Sequence, residues 1–291
     1  MGMIETGSVT ANGVDFTYLH TGTGPLALCL HGFPDSAHTW RHLLPVLADV
    51  GFHAVAPFTR GYAPTSVPAD GLYQTGALAA DANALHEALG ADGDAVLVGH
   101  DWGAPSVYGA AASEPGRWSR VVGMAVPPGR VLGEAFVTDL DQLKRSWYMF
   151  FFQHALAETV VPLNDFAFID MLWADWSPGH VADDDLGHVK ACLREPANLA
   201  AALGYYRATL GSGARTEDYD AIQHAGTGAL AQPTLYLHGR NDGCIGVEIA
   251  ERAIEQHPWL AAAHIVDDAG HFLQLERPDE VNTRIVDFLT A

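Results

Sequence analysis

Short apolar runs alternate with amphipathic segments at both ends of the chain. We expect buried strands at the apolar runs, which lie at 26–30, 53–57, 95–98, 120–126, 234–237 and 263–266. We expect helices where apolar residues recur with helical spacing, at 36–48, 75–89, 104–112, 247–256 and 278–289. Asn12-Gly13, a frequent hairpin turn, joins two further strands at 8–11 and 14–20. Strands that alternate with helices predict an α/β fold with a mostly parallel, eight-stranded sheet and helices on both faces.

This alternation stops after Pro127-Pro128-Gly129 and resumes only at the strand 234–237. Within the intervening stretch we expect helices at 142–158, 164–175, 183–194 and 196–210. The pattern predicts a helical cap over 129–229, inserted into a core formed by 1–128 and 230–291. No low-complexity linker separates the two parts, so core and cap should form one unit.

The composition and net charge indicate what kind of molecule the protein binds. A hydrophobic content of 48% and 17% charged residues predict a globular protein with a sizeable core. The net charge of −20 is unfavourable for binding nucleic acid or an anionic membrane, so we expect a small-molecule partner. A homodimer is compatible with the sequence. The three cysteines include no Cys-x-x-Cys pair, so they predict neither a disulfide framework nor a zinc cluster. Together with the lack of an apolar leader in the sequence, this favours a cytoplasmic location.

The stretch Val98-Gly99-His100-Asp101-Trp102-Gly103-Ala104 joins a predicted strand directly to a predicted helix. Such a tight turn needs small residues beside its apex, which Gly99 and Gly103 provide, and it exposes the apical side chain, here Asp101. The alternative is an aspartate that only caps the next helix. The two flanking glycines favour the exposed, reactive turn.

A carboxylate at this apex narrows the chemistry. Attack on a saturated carbon by an aspartate forms an ester, which water can cleave, whereas attack by a serine would leave a stable ether. Asp101 therefore predicts opening of an epoxide or displacement of a halide, followed by hydrolysis of an alkyl ester. A histidine must activate that water.

Gly99-His100-Asp101-Trp102-Gly103 resembles the nucleophile turn of the α/β-hydrolase epoxide hydrolases, with haloalkane and haloacetate dehalogenases as near relatives. The fold implied is the α/β-hydrolase fold, in which nucleophile, acid and histidine follow in that order. Asp242 and His271 each follow a predicted strand, so they would meet Asp101 at one end of the sheet. Asp267 and Asp268 compete with Asp242 as the acid, but they lie close to the histidine in sequence and fit a turn better.

A second loop supplies the predicted oxyanion hole. His31-Gly32-Phe33-Pro34 follows the strand 26–30, and the resemblance implies that the backbone N–H groups of Phe33 and Trp102 bind the oxyanion. In this family the bond before the proline is often cis. His31 and His100 are expected to brace the turns by hydrogen bonding.

Two tyrosines of the predicted cap distinguish between epoxide and halide. Tyr206 shares the apolar stripe of a helix with Leu199 and Leu203, whereas Tyr205 falls outside it. Tyr148 precedes Phe152 by one helical turn. The resemblance matches Tyr148 and Tyr206 to the pair that protonates an epoxide oxygen, although either alone fits a core residue.

An aromatic pocket is expected around these groups. Its predicted walls are Phe33, Trp102, Phe151 and Phe152, although the aromatic run at 150–152 also fits a helix interface. The sequence thus predicts an epoxide hydrolase that uses water and no cofactor or metal to convert a hydrophobic epoxide to a vicinal diol.

Two alternatives remain open. A dehalogenase commonly has a halide donor where Phe33 stands, and fluoroacetate-type enzymes have arginine where Trp102 stands. A non-catalytic ligand-binding homologue would normally have lost these motifs.

Overall fold

Eight strands form one sheet through the centre of the protein. The computed structural model describes residues 2–291, so Met1, the first residue of the predicted core segment, lies outside the described residues. In chain order the strands are β1 (Glu5–Ala11), β2 (Val14–Thr21), β3 (Leu26–Leu30), β4 (His53–Pro57), β5 (Val96–His100), β6 (Arg120–Met124), β7 (Thr234–Gly239) and β8 (Ala262–Val266). They are arranged β1-β2-β4-β3-β5-β6-β7-β8. β2 runs antiparallel to both of its neighbours and the other pairs are parallel, which confirms the predicted sheet.

Both faces of the sheet are covered. In β3, Ala27 and Cys29 belong to one apolar core, whereas Leu26, Leu28 and Leu30 belong to another. Side chains alternate between the faces of a strand, so these two cores lie on opposite sides of the sheet. This double burial explains why the central strands are continuous apolar runs.

Helices supply the covering layers. In chain order they are α1 (Leu43–Asp49), α2 (Thr75–Ala88), α3 (Gly103–Ser113), α4 (Val131–Thr138), α5 (Leu140–Arg145), α6 (Trp147–Phe151), α7 (Ala157–Val160), α8 (Leu163–Trp176), α9 (Asp183–Leu193), α10 (Pro196–Leu210), α11 (Glu217–Ala225), α12 (Val247–Gln256), α13 (Leu273–Glu276) and α14 (Pro278–Thr290). Across residues 2–291, none of the helices combines the length and apolar character needed to span a bilayer.

The predicted helix at 36–48 is two elements. Ser36 begins a 3₁₀ helix (Ala37–Trp40) by accepting a hydrogen bond from the His38 N–H, and α1 starts only at Leu43. Pro45 explains the break, because it has no N–H to donate to the Arg41 carbonyl and its ring would collide with that carbonyl in a continuous helix.

The predicted helix at 142–158 is also wrong, since the chain forms α5, α6 and α7 there. Gln142 ends α5 by donating through its amide to Ser146 Oγ and to the Cys244 carbonyl. Gln153 ends α6 by donating through its side chain to the Met149 carbonyl, which the backbone N–H of a continuous helix would otherwise bind. The contact of Gln142 with the distant Cys244 carbonyl has no local sequence signal.

α4 and α11 have no counterpart in the predicted elements. α11 falls within the predicted cap at 129–229, yet it packs against α2 and α3 of the core. The Thr216 N–H at its start donates to Gln74 Oε1 over 2.7 Å, and Asn12 Nδ2 lies 3.3 Å from Tyr219 Oη. The sequence prediction assigned α11 to the cap, but its contacts are with helices that cover the sheet.

Candidate active site

Asp101 occupies the sharp turn between β5 and α3. Its φ of 51° lies in the left-handed region, a strained conformation that costs about 1–3 kcal/mol and is found mainly at functional sites. The turn leaves no room for side chains beside it. A Cβ on Gly103 would lie 2.1 Å from the Leu30 carbonyl oxygen, and one on Gly99 would lie 2.3 Å from that of Gly103. The two glycines allow this turn because their lack of a side chain lets the backbone segments touch.

The Asp101 carboxylate is buried and held from two sides. Its Oδ1 accepts a hydrogen bond of 2.7 Å from the Phe33 N–H, and its Oδ2 lies 3.5 Å from His271 Nε2. Phe33 precedes a cis peptide bond, as the family resemblance implies, and His31 braces the loop by accepting from the Thr59 N–H over 3.0 Å. Within residues 2–291, no hydrogen bond joins the Trp102 N–H to this carboxylate.

His271 lies between Asp101 and Asp242. Its Nδ1 lies 3.0 Å from Asp242 Oδ2, while Asp242 Oδ1 accepts from the N–H groups of Cys244 and Ile245 over 2.7 and 2.9 Å. The structure thus places Asp242 beside the histidine, as predicted, whereas Asp267 forms an ion pair with Arg240 at the surface. His100 donates through Nε2 to the His271 carbonyl over 2.8 Å, so it braces the loop.

These contacts shift the pKa values of His271 and Asp242. Burial alone would lower the pKa of His271, but the carboxylates of Asp242 and Asp101 raise it to about 10. Burial would raise the pKa of Asp242, but the neighbouring His271 imidazole outweighs it and lowers that pKa. Both shifts favour a protonated His271 beside an ionised Asp242 in the resting site.

Tyr148 from α6 and Tyr206 from α10 meet above this group. Their ring centroids are 5.6 Å apart in an edge-to-face arrangement, and both side chains are buried. Burial and the nearby Asp101 charge raise the pKa of each phenol well above 10, so both stay protonated. Tyr205 is buried as well, but its hydroxyl donates to the Arg60 carbonyl. The predicted stripe therefore identified Tyr206 correctly but missed that α10 is buried on both sides.

A small cavity of about 60 Å³ brings these residues together. Asp101, Trp102, Tyr148 and Tyr206 all line it, and its other walls are Pro105, Val126, Leu132, Phe136, Ser146, Met149, Cys244 and Ile245. A larger cavity of about 540 Å³ shares six of these residues, namely Trp102, Pro105, Val126, Leu132, Phe136 and Met149. The two cavities are therefore adjoining, and the outer one is large enough for a drug-sized group.

Three residues that were predicted to line the pocket do not contact the small cavity. Phe33 and Phe152 are fully buried, and their rings lie 5.2 and 5.1 Å from the ring of Tyr206. Phe151 instead stacks on Phe168 at 5.6 Å. The turn at Ser146 directs Tyr148 and Met149 toward the cavity and leaves Phe151 and Phe152 in the helix interface, whereas the Phe33 ring is covered by Tyr206 and Phe152.

The sequence interpretation missed Leu132 and Phe136 because it did not predict α4, and it missed Cys244 because a lone cysteine carries no motif. Among the residues that the structure describes, Asp242, Cys244 and His271 are the group whose ligand atoms lie close enough to hold a metal, within 4.8 Å of one another. All three already contact other groups, with Asp242 and His271 bonded to each other and the Cys244 thiol beside Tyr148.

Comparison with known proteins agrees with this geometry. The family profile described as the alpha/beta hydrolase fold matches residues 25–278. An epoxide hydrolase of Caballeronia sordidicola is 30% identical, over 99% of this chain and 94% of that protein. The chain belongs to the epoxide hydrolase family of the α/β-hydrolase fold.

Other members of the epoxide hydrolase family show the same likeness. Epoxide hydrolase A of Mycobacterium tuberculosis is 29% identical, over 97% of this chain and 96% of that protein. The crystal structure of Epoxide Hydrolase A from Mycobacterium thermoresistibile superposes with a TM-score of 0.81 at 28% identity, covering 99% of both chains. The likeness of this epoxide hydrolase family member thus extends over both the sheet and the helices between β6 and β7.

Proposed function

We propose that this protein converts a hydrophobic epoxide and water to a vicinal diol, without a cofactor. One observation carries the proposal. Two buried phenol groups, Tyr148 and Tyr206, line the same small cavity as the strained Asp101. A carboxylate nucleophile supports attack on a saturated carbon, and paired neutral phenols support protonation of an oxygen that stays attached to the substrate.

In the first step, Asp101 Oδ2 attacks a ring carbon and the carbon–oxygen bond of the epoxide breaks. A phenol, Tyr148 or Tyr206, gives its proton to the departing oxygen and is left as a phenolate. Asp101 now carries a neutral alkyl ester. The raised pKa values of the phenols support this role, because they keep both donors protonated until charge develops on the substrate oxygen.

Formation of the ester changes His271. The Asp101 charge is one of the causes that hold the pKa of His271 at about 10, and the ester removes it. The imidazolium can then release a proton, which restores the phenol. Neutral His271, held by Asp242 at Nδ1, is left with Nε2 free to accept a proton from water.

In the second step, that water attacks the ester carbonyl of Asp101, and the resulting oxyanion needs donors already in place. The Phe33 N–H, 2.7 Å from Oδ1 in the resting site, is positioned for this, and the Trp102 N–H at the start of α3 is the proposed second donor. Collapse of the intermediate breaks the bond between the carbonyl carbon and the diol oxygen. That oxygen takes the proton of the newly formed carboxyl group, so the diol leaves neutral, Asp101 returns to a carboxylate and His271 stays protonated.

A dehalogenase is the second candidate, because one feature of the cavity favours it. The Trp102 Nε1 atom is buried and has no hydrogen-bond partner among residues 2–291, so its N–H could solvate a leaving halide. Halide release needs no proton donor, so it does not explain the paired phenols. We therefore favour the epoxide hydrolase function over the dehalogenase function.

A panel of styrene-type, aliphatic and cyclic epoxides, assayed for diol beside haloalkane and fluoroacetate controls, tests the choice. We expect diol from at least one hydrophobic epoxide and no halide. Single turnover in ¹⁸O-labelled water should place the label in the Asp101 carboxyl group, since water attacks the ester carbonyl. Halide release would favour the dehalogenase. Tight epoxide binding without product would indicate a binding protein.

We further infer a cytoplasmic location, from three buried cysteines that form no disulfide. The net charge of −20 supports a small apolar molecule as the partner over nucleic acid or a membrane. A homodimer remains compatible with this function.

A further inference from the structure

Cys244 contacts both Tyr148, a proposed proton donor, and Asp242, the partner of His271. Its thiol lies 3.4 Å from the Tyr148 hydroxyl, and its N–H donates to Asp242 Oδ1 over 2.7 Å. Its side chain also lines the small cavity that contains Asp101. The loop that places Asp242 beside His271 therefore also places a thiol beside Tyr148.

The two cavity tyrosines differ in their surroundings. The Tyr206 hydroxyl is buried and lines the cavity, with the Trp102 indole and the Tyr148 hydroxyl as its polar neighbours. Within residues 2–291 it forms no hydrogen bond of good geometry, so it can bind an oxygen in the cavity. The Tyr148 hydroxyl has the Cys244 thiol as its neighbour. The other cysteines lie elsewhere, Cys29 in β3 and Cys192 in α9.

We propose that Cys244 is a positioning residue for Tyr148, and this proposal rests on the proposed epoxide hydrolase function. The thiol S–H donates to the Tyr148 oxygen, so the hydroxyl proton of Tyr148 turns toward the epoxide oxygen that Tyr206 also binds. A hydroxyl that accepts one hydrogen bond while it donates another is fixed about its C–O bond.

The same contact becomes stronger during ring opening. When Tyr148 gives its proton to the epoxide oxygen, its own oxygen becomes a phenolate, and a hydrogen bond to a charged acceptor is roughly twice as strong as one between neutral groups. The thiol keeps its proton throughout, since burial raises the pKa of Cys244 well above its usual value. Cys244 thus acts on the first step without exchanging a proton with the substrate.

Single-turnover measurements test this proposal. The rate of alkyl-enzyme formation is followed by quenched-flow mass spectrometry for the native protein, Cys244→Ala and Cys244→Ser, with an epoxide that the native protein converts. We expect Cys244→Ala to alkylate about tenfold more slowly, the loss typical of a hydrogen bond to a charged group. Cys244→Ser keeps a donor and should stay within about threefold of the native rate. Cys192→Ala, a buried cysteine outside the cavity, is the matched control and should alkylate normally.

A double-mutant cycle separates positioning from a general structural effect. If Cys244 acts through the Tyr148 hydroxyl, Cys244→Ala should have almost no further effect in a Tyr148→Phe background, where that hydroxyl is absent. The same tenfold loss in both backgrounds would overturn the proposal. So would native-like alkylation by Cys244→Ala, or a Cys244→Ser rate as low as that of Cys244→Ala.

Failure of the proposed function would look different. In that case the native protein itself would form neither diol nor alkyl-enzyme with any epoxide, which would overturn both proposals. Normal turnover by the native protein and by Cys244→Ala would overturn only the role of Cys244. Thermal unfolding of each variant identifies any that has not folded, and Cys244→Ser then carries the comparison.

Discussion

The Nε2 atom of His271 lies 3.5 Å from Asp101 Oδ2, and its Nδ1 atom lies 3.0 Å from Asp242 Oδ2. One imidazole therefore contacts two carboxylates that have different fates in the proposed reaction. Asp242 stays bound through two backbone N–H groups, whereas Asp101 loses its charge when it becomes an ester. The histidine can thus be an imidazolium in the resting site and a base in the ester intermediate.

Replacement of His271 should separate the two steps. In His271→Gln the attack by Asp101 can still occur, but no base activates water, so ester hydrolysis should slow by about 10²–10⁴-fold. Mass spectrometry after incubation with substrate should show protein heavier by one epoxide. Asp101→Ala is the control and should gain no mass. A folded His271→Gln protein that releases diol at the native rate would contradict the two-step scheme.

Removal of both cavity phenols should abolish epoxide opening. We expect Tyr148→Phe with Tyr206→Phe to lower the alkylation rate by at least about 10²-fold, since no neutral donor remains for the epoxide oxygen. The matched control is Tyr205→Phe, which lies next to Tyr206 in α10 but bonds the Arg60 carbonyl. That variant should lose some stability and keep its alkylation rate. Full activity in the double variant would assign the acid role to another group.

The glycines beside Asp101 should tolerate no side chain. Gly103→Ala places a Cβ 2.1 Å from the Leu30 carbonyl oxygen, so we expect about 1–3 kcal/mol of destabilisation and loss of activity as the turn shifts. Gly187→Ala is the control, because it lies within α9 with no atom within 4 Å of the added Cβ. It should be neutral or stabilising by up to about 1 kcal/mol, because alanine favours helix over glycine. Chemical unfolding measures both, and equal stabilities would contradict the close packing at this turn.

Stability should depend on pH through His271. Its pKa rises from 6.5 to about 10 in the folded protein, so the folded state binds a proton that the unfolded chain releases between these values. The stabilisation is fully present below pH 6.5 and is lost as pH rises through about 10. The thermal unfolding temperature of the native protein should therefore fall across this pH window more steeply than that of His271→Gln. Parallel pH profiles for the two proteins would show that the imidazole is not held in its charged form.

The local order of residues was enough to predict the sheet, the position of Asp101 and the chain order of its partners. Apolar runs and the Asn12-Gly13 turn located the eight strands. Asp101, Asp242 and His271 each follow a strand, so the parallel arrangement alone brings them to one end of the sheet. Tyr206 was recognisable because it continues the helical spacing of Leu199 and Leu203.

Only the tertiary structure decided the shape of the cavity. The break at Ser146 turns Tyr148 and Met149 inward and leaves Phe151 and Phe152 in an interface, and this break depends on the contact between Gln142 and the distant Cys244 carbonyl. The placement of α11 on the core likewise depends on hydrogen bonds between Thr216 and Gln74, far apart in sequence. Periodicity records which face of an element is buried, but not which partner buries it, and the walls of a cavity are set by those partners.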